Sequence, residues 1–207
     1  MKRKLFAGLA LLAAALLSLG AARQSDEVKR MGIFISNFTE AGLYNFDLEE
    51  DGDSETIHFG DSANVGKLIE FGLIHNIINN PKSTVKKCTD KNCAYGGNII
   101  SGQAVVSSVR KYFDLSIKNQ TLEDSIPEVY YDGKNYHLEA SDWKPDTVYY
   151  AEVQEVSRRK GVISMSGELY NVKNKKDRPA TFTAAAKPHE WDDKDTWAIL
   201  SLSVEWE

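Results

Sequence analysis

Beyond its first 22 residues the chain has no apolar run long enough to cross a bilayer, which takes roughly 20 consecutive residues. It is also short of positive charge. Its 25 Lys and Arg are outnumbered by 30 Asp and Glu, a net charge of −5. That balance argues against sequence-independent nucleic-acid binding and against adsorption to anionic membranes, both of which need a basic footprint. No Gly-x-Ser-x-Gly elbow and no His-Glu-x-x-His pair is present, so the common serine-hydrolase and zinc-protease patterns do not apply. The four histidines, His58, His75, His137 and His189, are scattered. There is no internal repeat and no low-complexity tract. Nothing in these patterns calls for a cofactor or a metal.

The first 22 residues read as an export signal. Lys2, Arg3 and Lys4 form a basic start, Leu5 to Leu19 an apolar core, and Gly20-Ala21-Ala22 a small-residue cleavage site. An uncleaved anchor is the plainer alternative, but the apolar core is short for one. No cysteine lies near position 22, so lipid attachment is not expected. The expectation is a periplasmic or secreted protein, with residues 1–22 removed and residues 23–207 forming one extracytoplasmic domain that has no membrane span. The signal holds three basic and no acidic residues, so the mature chain is more acidic than the precursor.

The only two cysteines are Cys88 and Cys93. In an oxidising compartment a close even pair reads as a disulfide, stabilising by about 2 kcal/mol because the loop is short. The C-x4-C spacing departs from the C-x-x-C of redox motifs. A zinc site needs further ligands, and the sequence places no His or Cys close by.

Apolar periodicity predicts the elements. Met31 to Phe38 is apolar and β-branched enough for a strand, followed by a short apolar stretch from Leu43 to Leu48 and an acidic turn from Glu49 to Glu55. Asp61-Ser62 can cap a helix over residues 63–79, apolar on most of its surface and so buried on more than one side. Pro81 ends it. Ser101 can cap a second helix to Phe113, with Val105, Val109, Tyr112 and Phe113 along one stripe. The period then changes to two. Val129 to Leu138 reads as a hairpin around Asp132-Gly133, and strands are predicted over 147–156, 162–172, 180–186 and 196–206. The turn containing His189 to Asp195 reads as a loop. Helices first and strands afterwards argue for an α+β fold: two helices packed on a curved antiparallel sheet of about six strands, cystatin-like or cone-shaped.

Several of these stretches resemble a group of exported bacterial proteins with no assigned function. They are Ile35-Ser36-Asn37-Phe38-Thr39-Glu40, Leu43-Tyr44-Asn45-Phe46-Asp47, the Leu68 to Asn80 helix with its His75-Asn76 and Asn79-Asn80 pairs, Val109 to Phe113, the Tyr131-Asp132-Gly133-Lys134 hairpin and Tyr149 to Val153. The resemblance implies an exported domain and carries over no catalytic residue. The Cys88–Cys93 loop has no place in it.

Two features point to a binding surface. His75-Asn76 with Asn79-Asn80 puts an unusual polar cluster at a helix end, where it either lines a pocket or satisfies the terminating backbone. Aromatic residues concentrate between Tyr130 and Tyr150, and adjacent Tyr pairs in a strand send one ring to each face. Such rings serve either as core or as contact area at little rotamer cost. The candidate binding residues are therefore Tyr131, Tyr136, Trp143, Tyr150, His75 and Asn76. The acidic stretch 47–55 departs from the EF-hand pattern and reads as a solvated loop. The expected function is a non-enzymatic domain binding a protein or small ligand. The alternative is an envelope glycan or peptidoglycan hydrolase with acidic catalysts, whose cleft must hold two carboxylates, or a carboxylate and a His, within reach of one another.

Overall fold

A computed structural model describes residues 26–48, 57–58, 64–91, 93–95, 97–123, 125, 128–139, 143 and 147–207. The signal segment, the acidic stretch from 49 to 55 and the Asp61-Ser62 cap lie outside the described residues.

The first element overturns an expectation. Residues 26–39 form a helix, α1, where Met31 to Phe38 reads as a strand in the sequence. Met31, Phe34, Ile35 and Phe38 stand at i, i+3, i+4 and i+7, and all are buried. Helical spacing therefore outweighs the β-branched content, because it places four large side chains in one core.

The remaining helices are α2 (Val65–Asn79), α3 (Pro81–Thr84) and α4 (Gly102–Phe113), so the described residues hold four helices rather than two. As expected, α2 is buried on several sides, with Leu68, Ile69, Phe71, Leu73 and Ile77 all covered. Ser101 caps α4 as its sequence implies, its Oγ accepting from the Ala104 N–H at 3.2 Å. Asp114 ends that helix in the left-handed conformation, φ 55°.

The strands are β1 (Phe46–Asp47), β2 (Ile57–His58), β3 (Lys86–Lys87), β4 (Asn98–Ser101), β5 (Tyr130–Tyr131), β6 (Asn135–Leu138), β7 (Tyr149–Arg159), β8 (Val162–Asn171), β9 (Ala180–Trp191) and β10 (Lys194–Trp206). They build two sheets where one was expected. In the larger, β7 to β10 run as an antiparallel meander and β1 joins β10 antiparallel, with the short β2 parallel to β1. This sheet is open, with β7 at its edge. The smaller antiparallel sheet has the order β3-β4-β6-β5. The chain is thus α+β, as its sequence implies.

The meander turns are tighter than the sequence suggests. Lys160-Gly161 and Asp192-Asp193 all have positive φ, the requirement of two-residue hairpin turns. Arg158, Arg159, His189 and Trp191 therefore belong to strands rather than loops. A bulge between Val153 and Glu155 interrupts the pairing of β7 with β8. Gly167 lies opposite, where a Cβ would come within 2.0 Å of the Glu152 carbonyl oxygen.

Helices α2 and α4 serve both sheets. Leu68, Phe71, Val109, Tyr112 and Phe113 join the core of the larger sheet, while Ile69, Leu73, Ile77 and Val105 join that of the smaller. Phe38 sits in the middle of the larger core, its ring against Phe34, Phe46, Phe71, Tyr112 and Phe113.

Helix α1 is stitched to the edge strand β7. Ser36 Oγ donates to the Gly32 carbonyl at 2.8 Å and accepts the Ala151 N–H at 2.9 Å. Thr39 Oγ1 donates to the Tyr149 carbonyl at 2.6 Å. Edge backbone groups that would otherwise offer a template for another strand are covered in this way. The approach is close enough to require glycine, since a Cβ on Gly32 would lie 2.9 Å from the Ala151 carbonyl oxygen.

Candidate functional site: the groove beside α1

Where α1 crosses β7 and β8 the two do not close completely. A groove of about 790 Å³ remains, walled by Val28, Gly32 and Ile33 on one side and by Tyr150, Ala151 and Val153 on the other. This volume falls in the range of small-ligand sites. Ile33 is 68% exposed, an unusual position for a large aliphatic side chain. Tyr150 and Tyr170 are cross-strand partners on β7 and β8, their rings edge to face at 6.2 Å. At this end Arg178 pairs with Glu152 at 2.5 Å and Glu168 at 2.7 Å, and Lys175 lies 5.7 Å from the Tyr170 ring centre.

The groove reaches Glu40, which follows directly on α1 and is only 3% exposed. Its carboxylate accepts from the Asn79 side-chain amide and from the Tyr150 hydroxyl. Burial pushes its pKa above the usual carboxylate range, and these two hydrogen bonds offset that only in part. Its hydrogen-bond partners are a neutral amide and a neutral phenol, and no cationic side chain among the described residues is paired with it.

Asn79 links this carboxylate to a histidine. The Asn79 Nδ2 also lies 3.2 Å from His75 Nδ1, one helical turn earlier. An amide nitrogen only donates, so Nδ1 must accept, which requires a neutral imidazole with its proton on Nε2. Burial, assisted by the nearby Lys111 charge, lowers the His75 pKa to about 4. The ring stacks on Phe71 at 5.8 Å and meets Tyr112 edge-on at 4.8 Å. Tyr112 in turn donates to Asn37 Oδ1 at 3.1 Å. A hydrogen-bonded chain thus runs from Tyr150 through Glu40 and Asn79 to His75, whose ring contact with Tyr112 continues it to Asn37, tying together β7, α1, α2 and α4.

The candidate residues from the sequence do not form one surface. Tyr150 lines the groove, and His75 lies behind it. Asn76 is buried for structural reasons, donating to the Gly72 carbonyl at 2.7 Å and to Ser108 Oγ at 2.9 Å, which locks α2 to α4. Tyr131, Tyr136 and Trp143 belong to the smaller sheet's core or its margin. Tyr136 is fully buried, its hydroxyl donating to Asn119 Oδ1 at 3.0 Å. Tyr131 is half-buried against it, ring centres 4.8 Å apart. Trp143 is 8% exposed, and its indole N–H has no hydrogen-bond partner among the described residues.

Glu40, Asn37, Ser36, Tyr170 and Arg178 are absent from the sequence-based candidates. Glu40 could have been found once α1 was read as a helix, because a carboxylate just after an apolar stripe is unusual. The groups from β8 and the turn after it come to the groove through strand pairing alone.

The two cysteines also depart from expectation. Cys88 and Cys93 are free thiols rather than a disulfide. They lie beside His137 of β6, and none of the three lines the groove. Compared with known protein families, with curated proteins and with solved structures, the chain matches none.

Proposed function

We propose that this chain is an extracytoplasmic binding domain, not an enzyme, that takes a small ligand in the groove between α1, β7 and β8. One observation carries the reading: a carboxylate, Glu40, is buried to 3% exposure beside an open groove, with neutral partners for its charge. Burying an anion in this way is costly unless something compensates it. A bound ligand with an ammonium or hydroxyl donor supplies that compensation. Ile33, Val28 and the Tyr150 ring offer the apolar wall for the rest of such a molecule. The ligand class is therefore a small amphipathic compound with a donor head group.

The location outside the cytoplasm rests on the basic, apolar and small-residue pattern of the first 22 residues and on the resemblance to exported bacterial proteins. The cystatin-like, cone-shaped curvature expected for the sheet belongs to the same proposal, since a sheet curving round α1 deepens the groove.

A second reading has one observation in its favour. Glu40 and Glu152 line the same groove, and a carboxyl with a raised pKa suits a general acid in glycan hydrolysis. Against it, Glu152 is held by Arg178, and His75 lies behind Asn79 rather than in the groove.

The test is native mass spectrometry of the purified chain against a panel of amine-bearing and hydroxylated amphipathic compounds, with a glycan-cleavage assay alongside. Retention lost in Ile33→Asp and Glu40→Gln but kept in Tyr131→Phe supports the binding reading. Equal retention by all variants, or none by the parent, refutes it. Glycan cleavage abolished in Glu40→Gln establishes the hydrolase instead.

A further inference from the structure

Outside the groove, the two free thiols and one imidazole converge. His137 Nδ1 lies 3.4 Å from Cys93 Sγ and 3.7 Å from Cys88 Sγ, and the three atoms are all within 4.8 Å of one another. The opposite ring nitrogen, Nε2, lies 2.8 Å from Asp132 Oδ2. Asp132 is itself fixed, its Oδ1 accepting the Lys134 N–H at 2.8 Å and the Asn135 N–H at 2.6 Å in the β5–β6 turn. With Asp132 Oδ2 accepting, Nε2 is the protonated ring nitrogen, and the Nδ1 lone pair faces the two sulfurs.

From this geometry we infer a zinc site formed by Cys88, Cys93 and His137, with Asp132 orienting the histidine. The distances fit. A tetrahedral ion with bonds of about 2.3 Å to sulfur and about 2.0–2.1 Å to nitrogen separates those two donors by about 3.6 Å. The observed 3.4 and 3.7 Å lie on either side of that value. Two thiolates and an imidazole are the donor set zinc favours, and a carboxylate behind a ligating histidine is its usual support. The Tyr95 backbone N–H donates to the Cys93 sulfur. Beside the site Tyr95 stacks on Tyr130 at 5.0 Å, and Tyr130 lies 5.9 Å from the His137 ring, both tyrosines remaining exposed. Three ligands among the described residues leave the fourth position to water. Zinc here ties the Cys88–Cys93 loop to β6, as a disulfide within that loop does not. Binding releases thiol protons and involves no redox step.

The experiment uses the full chain, reduced and metal-free, titrated with Co²⁺ and then with Zn²⁺. The expected result is one equivalent bound, with a thiolate-to-cobalt charge-transfer band and tetrahedral d–d absorption that Zn²⁺ bleaches. Cys93→Ser and His137→Ala should each weaken binding more than about 100-fold, and Asp132→Asn by about 10- to 100-fold. The ¹⁵N shift of His137 Nδ1 in the unmutated chain reports coordination even if a variant fails to fold. Absence of the charge-transfer band in the reduced chain, a band of undiminished affinity in His137→Ala, or an unmoved Nδ1 resonance at saturating Zn²⁺ overturns the inference. Any of these returns the cysteines to a disulfide or to plain thiol–imidazole hydrogen bonding.

Discussion

Acidification should loosen this protein through His75, by an amount the structure sets. The ring is 4% exposed, packed between Phe71 and Tyr112, and accepts at Nδ1 from Asn79. Protonation destroys that acceptor and places a charge in an apolar pocket near Lys111. With the pKa lowered from 6.5 to about 4, the unfolded chain takes up the proton first. His75 thus contributes its full stabilisation above pH 6.5, and that contribution is lost as the pH falls towards 4. Between pH 7 and pH 5 the loss is about 2 kcal/mol, and below pH 4 it reaches about 3 kcal/mol. For a chain of this size 2 kcal/mol corresponds to roughly 4–8 °C in Tm.

Glu40 at the other end of the Asn79 bridge works in the opposite sense. Its folded pKa is raised by burial, so the stability it contributes is present in acid and is lost as the pH rises through its folded pKa. Urea denaturation at pH 7, 6 and 5 of the parent chain, His75→Gln and Glu40→Gln separates the two. His75→Gln should be less sensitive to acid than the parent, by about 2 kcal/mol over that interval. Glu40→Gln should be more sensitive. Parallel pH profiles for the parent and His75→Gln would refute the account of a buried neutral imidazole.

Three further substitutions test the packing. Phe38→Ala removes the ring at the centre of the larger core and should cost about 3–5 kcal/mol, read by urea denaturation. Ser36→Ala leaves the Ala151 N–H without its 2.9 Å acceptor and should cost about 1–3 kcal/mol, with faster hydrogen exchange at that amide. Gly32→Ala forces α1 away from β7, because its Cβ meets a backbone carbonyl, and should destabilise by about 1–3 kcal/mol in thermal melts. A Gly32→Ala chain as stable as the parent would mean that α1 does not lie as close to the edge strand as described.

Much of the fold is legible in local pattern. The apolar girth of α2, the Ser101 cap of α4, the Asp132-Gly133 hairpin and the alternation along β10 are all short-range signals, and each element forms where they place it. The helix at 26–39 is the instructive failure. Its four buried positions carry helical spacing, yet β-branched residues and a short window favour a strand. What decides is the presence of Phe46, Phe71, Tyr112 and Phe113 around Phe38, and none of these is a sequence neighbour.

The sites divide in the same way. Composition and spacing by themselves determine an acidic α+β chain with an N-terminal export pattern, a helix ending in His75, Asn76, Asn79 and Asn80, and an even cysteine pair. They also mark Tyr150, though among aromatics that the smaller sheet claims for its core. Only the tertiary structure brings Glu40 to Asn79, and Tyr170 to Tyr150. Likewise, β4–β6 pairing places Ile99 opposite His137 and carries that histidine to two cysteines that the sequence leaves without a third ligand. The physical reason is common to both. Helix and turn signals act over a few residues, whereas a ligand set or a buried charge depends on which strands pair and which helix covers their edge.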